Sequence, residues 1–455
     1  MAGIGFELRQ AVRDKSYLGA LRGYFYAAVI SSGPWLLSVV ALSLLGMASA
    51  SFLSQQATTL FAATITHTFA ISLMTTGLVQ MVVTRYLADQ LYLNKTDSIA
   101  PTFVSLIVLW SLAQGALISV LLAFTDLPLG FRLPATALYI AVSDIWIAMI
   151  FLSAVRDYLS IVYSFAIGYV VSFAAALRLG AAFGTEAYIL GFAAGQVLTL
   201  GLLVARVLAE FEPRKSFDLE FIRYFRRYPS LAAIGFFYNS ALWADKIIFW
   251  ISSHGIDAGD YLRVFPAYDT SFFVASMVIV PALAVFTINL ETDFYEYYKG
   301  FYAAIQNKRS LRELREMKAG MMKSILSSYL ALFKIQFGVA LLVALLTPVI
   351  MQKVNVPQAF WPVFRMMVVA MSAQIFLLFS TIVLLYLDLR GSVLIVCSVF
   401  LSTNVLFTVL TLTLGPGYFG YGFLASSFVS VGVALAVLMD RFRKLEYLTF
   451  MRQPL

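Results

Sequence analysis

The chain has 455 residues, of which 61% are hydrophobic and only 12% charged, with a formal net charge of +8 and a single cysteine. A charged fraction about half the usual quarter, with apolar stretches longer than about 18 residues recurring along the chain, excludes a soluble globular protein and indicates an all-α polytopic membrane protein. Cys397 alone excludes an intrachain disulfide and a cysteine metal cluster, and two histidines, His67 and His254, argue against a dedicated zinc site.

The N-terminal segment 1–22 is basic and reads as an interfacial stretch ahead of the first apolar run. That run ends in GMASAS, which offers an A-x-A cleavage pattern, but it is longer than a signal h-region and about 22 residues precede it, so it is expected to remain as a membrane helix. A span needs about 20 residues to cross a core of about 30 Å. Twelve spans are predicted, at 23–48, 59–84, 101–125, 133–155, 159–183, 186–209, 229–252, 265–290, 324–350, 360–387, 391–414 and 418–439. The basic linker 210–228 then divides an N-terminal six-helix bundle, 23–209, from a C-terminal one, 229–439, which carries the amphipathic loop 291–323 and is followed by the tail 440–455. Even spans in each half predict parallel repeats about an axis along the membrane normal. One spacing supports the repeat: Gly184-x6-Gly191-Phe-Ala-Ala-Gly195 opens the sixth span and Gly415-x6-Gly422-Phe-Leu-Ala-Ser426 opens the twelfth.

Lys and Arg set the orientation. Twenty-five of them fall on the side of the two termini, in the linker, in 291–323 and in the even-to-odd turns; only Arg132, Arg263 and Lys353 fall on the other. Both termini are therefore expected in the cytoplasm, and the excess charge suits anionic lipid headgroups without invoking nucleic acid.

Ionised groups within spans cost at least about 3 kcal/mol at the bilayer centre and mark sites by default. Counting along each helix places Asp144 and Lys334 about 15 Å in, near the midplane, with His67 a little outside it. Asp245 lies about 24 Å from the cytoplasmic start of its span, beside Lys246, and Asp269, Arg178, Glu186 and Arg365 share the outer third. The amides Gln80, Gln196, Asn239, Gln336, Gln374 and Asn404 lie at membrane depth with Trp146, Tyr163, Phe236, Trp243 and Trp250. Amide donors and aromatic faces suit a sugar, so Asp144, Lys334, Asp245, Lys246, Asp269, Arg178, Arg365, His67, Gln196, Gln374 and Trp243 are the candidate substrate path. Against this, buried charges also form structural ion pairs and amides join helices. Neighbours on a helix point about 100° apart, so Asp245 and Lys246 need not face each other. Pro34 within SSGPWLL is read as a kink within the first span.

On the soluble segments there is no Walker A loop, GxSxG, HExxH or CxxC, and no Asp-x-Asp metal site on the cytoplasmic side. No catalytic residue, metal or cofactor is assigned. In 291–323 a tyrosine-rich stretch precedes NKRSLRELREMK, whose Arg309–Glu313 and Arg312–Glu316 spacings favour a helix. That helix lies in the headgroup layer or, with Arg226 and Arg227 of the linker, docks a partner through Arg309, Arg312 and Arg315.

MAGIGFELR (1–9), SYLGALRGYFYAAVISSGPW (16–35), FYNSALWADKIIFW (237–250) and ETDFYEYYKGFY (291–302) resemble the PelG family, membrane subunits of the Pel exopolysaccharide apparatus of Gram-negative bacteria. The resemblance implies the multidrug/oligosaccharidyl-lipid/polysaccharide exporter superfamily, with twelve spans in two six-helix bundles flanking a central cavity, in the bacterial inner membrane. It implies a polymer rich in galactosamine and N-acetylgalactosamine, a cytoplasmic glycosyltransferase partner, and membrane-bound regulatory subunits including a cyclic-di-GMP receptor. The expected function is export of a nascent polysaccharide from cytoplasm to periplasm. An ion-coupled small-molecule antiporter, a lipid-linked oligosaccharide flippase and a non-transporting scaffold of a synthase complex remain alternatives.

Overall fold

A computed structural model describes residues 17–49, 51–211, 217–259 and 262–452. Residues 1–16 of the expected interfacial segment, and Arg214 and Lys215 of the linker, lie outside the described residues. The chain is helical almost throughout. In order, the helices are α1 (Tyr17–Ser49), α2 (Gln55–Tyr92), α3 (Ile99–Ala123), α4 (Leu129–Ala154), α5 (Tyr158–Phe183), α6 (Thr185–Glu210), the short α7 (Phe221–Arg227) and α8 (Pro229–Ile251). A two-stranded hairpin follows, β1 (Ile256–Asp257) with β2 (Arg263–Val264), paired antiparallel. Then come α9 (Pro266–Ser276), α10 (Val280–Asn289), α11 (Tyr295–Gln306), α12 (Leu311–Leu345), α13 (Thr347–Lys353), α14 (Trp361–Tyr386), α15 (Arg390–Leu414), α16 (Tyr421–Arg443) and α17 (Leu445–Arg452).

Eleven helical segments among the described residues are long and apolar enough to cross a membrane. The predicted span 229–252 is present as the 23-residue α8, but it is not among the eleven; Asn239, Asp245 and Lys246 dilute its apolar character. The predicted span 265–290 is built as two pieces, α9 and α10, joined by a 3-10 turn at Met277–Ile279. The break falls where Pro281 has no N–H to donate to the preceding turn. Pro34, in contrast, lies inside α1, which runs through it.

Local chemistry fixes many helix ends. Ser54 caps α2 by accepting from the Ala57 amide at 3.2 Å, and Asp157 caps α5 by accepting from the Ser160 amide at 3.3 Å. Ser310 accepts from the Glu313 amide at 3.3 Å and donates to the Glu313 carboxylate, a capping box that opens α12. Glu313 is thereby engaged by Ser310, and Arg309 precedes the cap, so of the two expected pairs only Arg312–Glu316 forms, at 3.0 Å. The predicted surface helix within 291–323 is not separate: α12 continues without a break from that segment into the membrane span.

The chain forms two compact units. One comprises Pro34–Asp269 with Phe400–Val405; the other comprises the residues up to Gly33, Thr270–Val399 and the chain from Leu406 onward. The linker does follow α6, as expected, but by packing α8 shares a unit with α2–α6. The cause is a close crossing of α2 and α8. A Cβ added at Gly235 would stand 2.1 Å from the Gly77 carbonyl oxygen, and one at Gly77 would stand 2.5 Å from the Gly235 carbonyl oxygen. Only glycine at both positions lets the backbones approach so closely.

The two matched glycine runs do the same local work in their own units. Gly184 ends α5 with φ +84 and Gly415 ends α15 with φ +99, both left-handed positions that glycine takes without strain. Seven residues on, a Cβ at Gly191 would meet the Ala176 backbone at 2.5 Å, and one at Gly422 would meet the Phe407 backbone at 2.8 Å.

Candidate functional site

The densest buried polar group in the first unit forms around α8. Lys246 Nζ donates to Asp245 Oδ1 at 3.0 Å and to the Leu242 carbonyl, one turn back, at 2.8 Å. The two neighbours therefore do pair. The four-carbon stem of Lys246 lets its ammonium swing back across the angle that separates adjacent positions on a helix. Tyr268 Oη donates to Asp245 Oδ2 at 2.7 Å, and Asn404 Nδ2 donates to the Ala241 carbonyl at 2.7 Å and reaches Asp245 Oδ1 at 3.4 Å. Asp245 is 0% and Lys246 1% exposed, so in this structure the pair braces α8, α9 and α15 and lines no open path.

A second carboxylate sits beside this pair. Trp250 Nε1 donates to Asp269 Oδ2 at 2.9 Å and to Oδ1 at 3.1 Å, and the Phe265 amide donates to Oδ2 at 3.0 Å. Asp269 thus caps the first turn of α9, where a negative charge is favoured. The His67 ring lies against the Trp250 indole with centroids 4.5 Å apart, and Trp243 lies 6.1 Å from the same indole. His67 Nδ1 is 2.9 Å from the Ala63 carbonyl; since a carbonyl only accepts, that nitrogen carries the proton. His67, Trp243, Asp245, Lys246 and Asp269, chosen by depth alone, are thus brought together. Tyr268 was missed, although it directly precedes Asp269. Asn404 and Trp250 had been noted only as polar or aromatic groups at depth.

Trp250→Phe should remove the indole donor while keeping most of the ring volume. The expected loss is about 1–3 kcal/mol of stability, the usual cost of stranding a buried acceptor, read as a lower melting temperature of the purified protein. An unchanged melting temperature would show that Asp269 does not depend on the indole.

Asp144 lies elsewhere in the same unit and is 2% exposed. Ser111 Oγ donates to its Oδ2 at 2.5 Å, while Oδ1 makes no hydrogen bond. The surrounding seam of α2, α3 and α4 is polar: Tyr139 donates to Gln114 at 2.5 Å, and Trp146 Nε1 donates to Ser72 at 3.1 Å. Lys334 is exposed on α12.

The remaining candidates divide by role. Gln196 donates to Ser172 at 3.2 Å, joining α6 to α5, and Gln374 donates to Ser427 at 2.7 Å, joining α14 to α16. Both are buried amides that join neighbouring helices. Arg178 and Arg365 are exposed, and Arg365 Nε approaches Thr347 Oγ1 at 3.4 Å. Arg226, Arg227, Arg309, Arg312 and Arg315 are all exposed, as docking groups must be. Among the described residues no group of three or more His, Cys, Asp or Glu is placed to hold a metal ion.

The whole chain has the fold of known transporters. A crystal structure of a point mutant of the Vibrio cholerae MATE transporter VcmN superposes with a TM-score of 0.66 at 12% identity, covering 98% of each chain. A Pyrococcus furiosus transporter of the MOP superfamily gives a TM-score of 0.63 at 14% identity, over 92% of this chain and 96% of that one. An outward-facing multidrug resistance MATE transporter of the MOP superfamily gives 0.62 at 15% identity, over 92% and 96%. At such identities the likeness shows the fold alone. No curated protein matches the chain. A family model described as PelG, putative exopolysaccharide exporter (EPS-E), matches residues 1–450.

Proposed function

Starting from a chain that belongs to the PelG family of putative exopolysaccharide exporters and has a MATE-like transporter fold, we propose that it exports a nascent, amino-sugar-rich exopolysaccharide of the Pel type across the bacterial inner membrane. The single observation that carries this reading is the family match along nearly the full chain. Both termini lie in the cytoplasm in this reading, which the distribution of Lys and Arg supports. A cytoplasmic glycosyltransferase supplies the polymer, and the membrane-bound regulatory subunits, including a cyclic-di-GMP receptor, are its further partners.

The test is export of labelled polymer into the lumen of inverted vesicles that carry this protein, with purified glycosyltransferase and sugar nucleotide outside. Polymer protected from added hydrolase only when the protein is present supports the reading; polymer equally exposed with and without it refutes export. A strict requirement for a proton or sodium gradient in the same assay would select the ion-coupled alternative. That alternative is favoured by one observation, the unpartnered Oδ1 of buried Asp144.

The glycosyltransferase is proposed to dock on the exposed arginines at the start of α12. Replacing Arg309, Arg312 and Arg315 with Ser should weaken co-purification of the glycosyltransferase several-fold, since exposed pairs contribute about 0.2–1 kcal/mol each. The level of this protein in the membrane should stay near normal. Unchanged co-purification removes the docking role.

A further inference from the structure

An open groove runs between α2, α3, α7 and the start of α8 within the first unit, with a volume of about 440 Å³. Leu78 from α2, Leu109 and Trp110 from α3, Ile222 and Phe225 from α7, and Ala232 from α8 line it. Its size is that of a ligand pocket, yet the wall offers only apolar surface. Leu78, Leu109 and Ile222 are all exposed, so it opens sideways from the protein.

Charge identifies what fits it. Arg226 lies one turn beyond Ile222 on α7, on the same stripe, and Arg223 follows Ile222 directly; both are exposed and neither forms an ion pair among the described residues. Arg227, by comparison, stacks its guanidinium over the Tyr228 ring at 5.3 Å. The occupant is therefore apolar along most of its length and ends in an anion. A peptide segment does not meet this description, because a wall without polar atoms leaves its backbone N–H and C=O groups unpaired.

We propose that an anionic glycerophospholipid of the leaflet that carries α7 occupies this groove. One acyl chain lies along Leu78, Leu109 and Phe225, and the phosphate meets Arg223 and Arg226. The positive charge on that side makes it the cytoplasmic leaflet. The lipid wedges the linker helix α7 against α2 and α3, so the segment between the sixth and seventh expected spans responds to membrane composition. This assignment does not depend on the exported substrate.

The experiment uses the full chain, reconstituted in vesicles of phosphatidylethanolamine with phosphatidylglycerol, re-extracted in mild detergent and analysed for retained lipid by native mass spectrometry. The unaltered protein should retain phosphatidylglycerol in preference to phosphatidylethanolamine. Arg223→Gln with Arg226→Gln should lower retained phosphatidylglycerol about fivefold per arginine, and Arg223→Lys with Arg226→Lys should restore most of it. Ala232→Phe, which fills the groove, should abolish retention without changing charge. Equal retention of both lipids by the unaltered protein overturns the proposal and needs no variant to fold. So does unchanged retention in the Gln pair and in Ala232→Phe, each recovered as a monodisperse protein.

Discussion

Asp245→Ala is expected to destabilise the folded protein by about 3–5 kcal/mol, because it takes the facing carboxylate from an ammonium that is 1% exposed. Tyr268 and Asn404 lose their common acceptor in the same step. Substituting both partners, as Asp245→Leu with Lys246→Met, should recover most of that loss, since apolar replacement of a whole buried pair is often neutral. Melting of the purified single and double variants measures both effects. The double variant also separates bracing from transport. If it folds and exports polymer normally, the pair only braces α8; if it folds and export fails, the charges act in transport. A single variant within about 1 kcal/mol of the unaltered protein would contradict the account of the pair as a dry ion pair.

Gly235→Val should have an effect of similar size through pure geometry. Its Cβ would stand 2.1 Å from the Gly77 carbonyl oxygen, an atom of backbone that has no rotamer to change. Overpacking in a filled core typically costs about 1–3 kcal/mol, and more where backbone opposes backbone. Separating α2 from α8 would also lengthen the bond from Asn239 Nδ2 to the Leu73 carbonyl, now 3.1 Å. The same change at Gly338, where a Cβ would meet nothing within 4 Å, is the control. The readout is the yield of monodisperse protein and the efficiency of a cysteine cross-link between α2 and α8. Equal behaviour of the two variants would contradict the glycine crossing.

The sequence made the membrane helices legible because each is a local property: an apolar run of sufficient length bounded by polar turns. Gly184 and Gly415 were legible for the same reason, their spacing recording a backbone turn used twice. What escaped depended on direction or distance. Depth along a helix says nothing about the side on which a residue lies, so Asp144 and Lys334, at equal depth, differ in burial. The Asp245–Lys246 contact was discounted because the helical angle was applied to backbone positions, whereas the long lysine stem closes the gap. Asn404 reaches Asp245 from a helix far away in sequence, and Tyr268 reaches it only because the β1–β2 hairpin turns α9 back against α8. Two signals were present but unread. Pro281 marked the break in the eighth expected span, and Ser310-x-x-Glu313 marked the start of a helix that the hydropathy pattern began only at 324.

That helix changes the mechanics of the segment that precedes the span. α12 is one element from Leu311 to Leu345, and its first 13 residues extend about 20 Å before the predicted apolar span begins. Midway along them Lys318 Nζ bonds Glu446 of α17 at 2.5 Å and the Arg443 carbonyl at 3.0 Å. Burial would raise the Glu446 carboxyl, but the Lys318 ammonium holds it below its ordinary value, so the strut stays charged at neutral pH. A continuous helix resists bending over such a length, and the strut supplies a fulcrum beside it. A push on Arg312 is then delivered as a tilt to the apolar half of the same rod, which holds the buried Leu332 and Gln336, without any hinge to absorb it. The Leu311 end of α12 is a handle on the span, and a protein that grips it does work on the transmembrane bundle merely by moving.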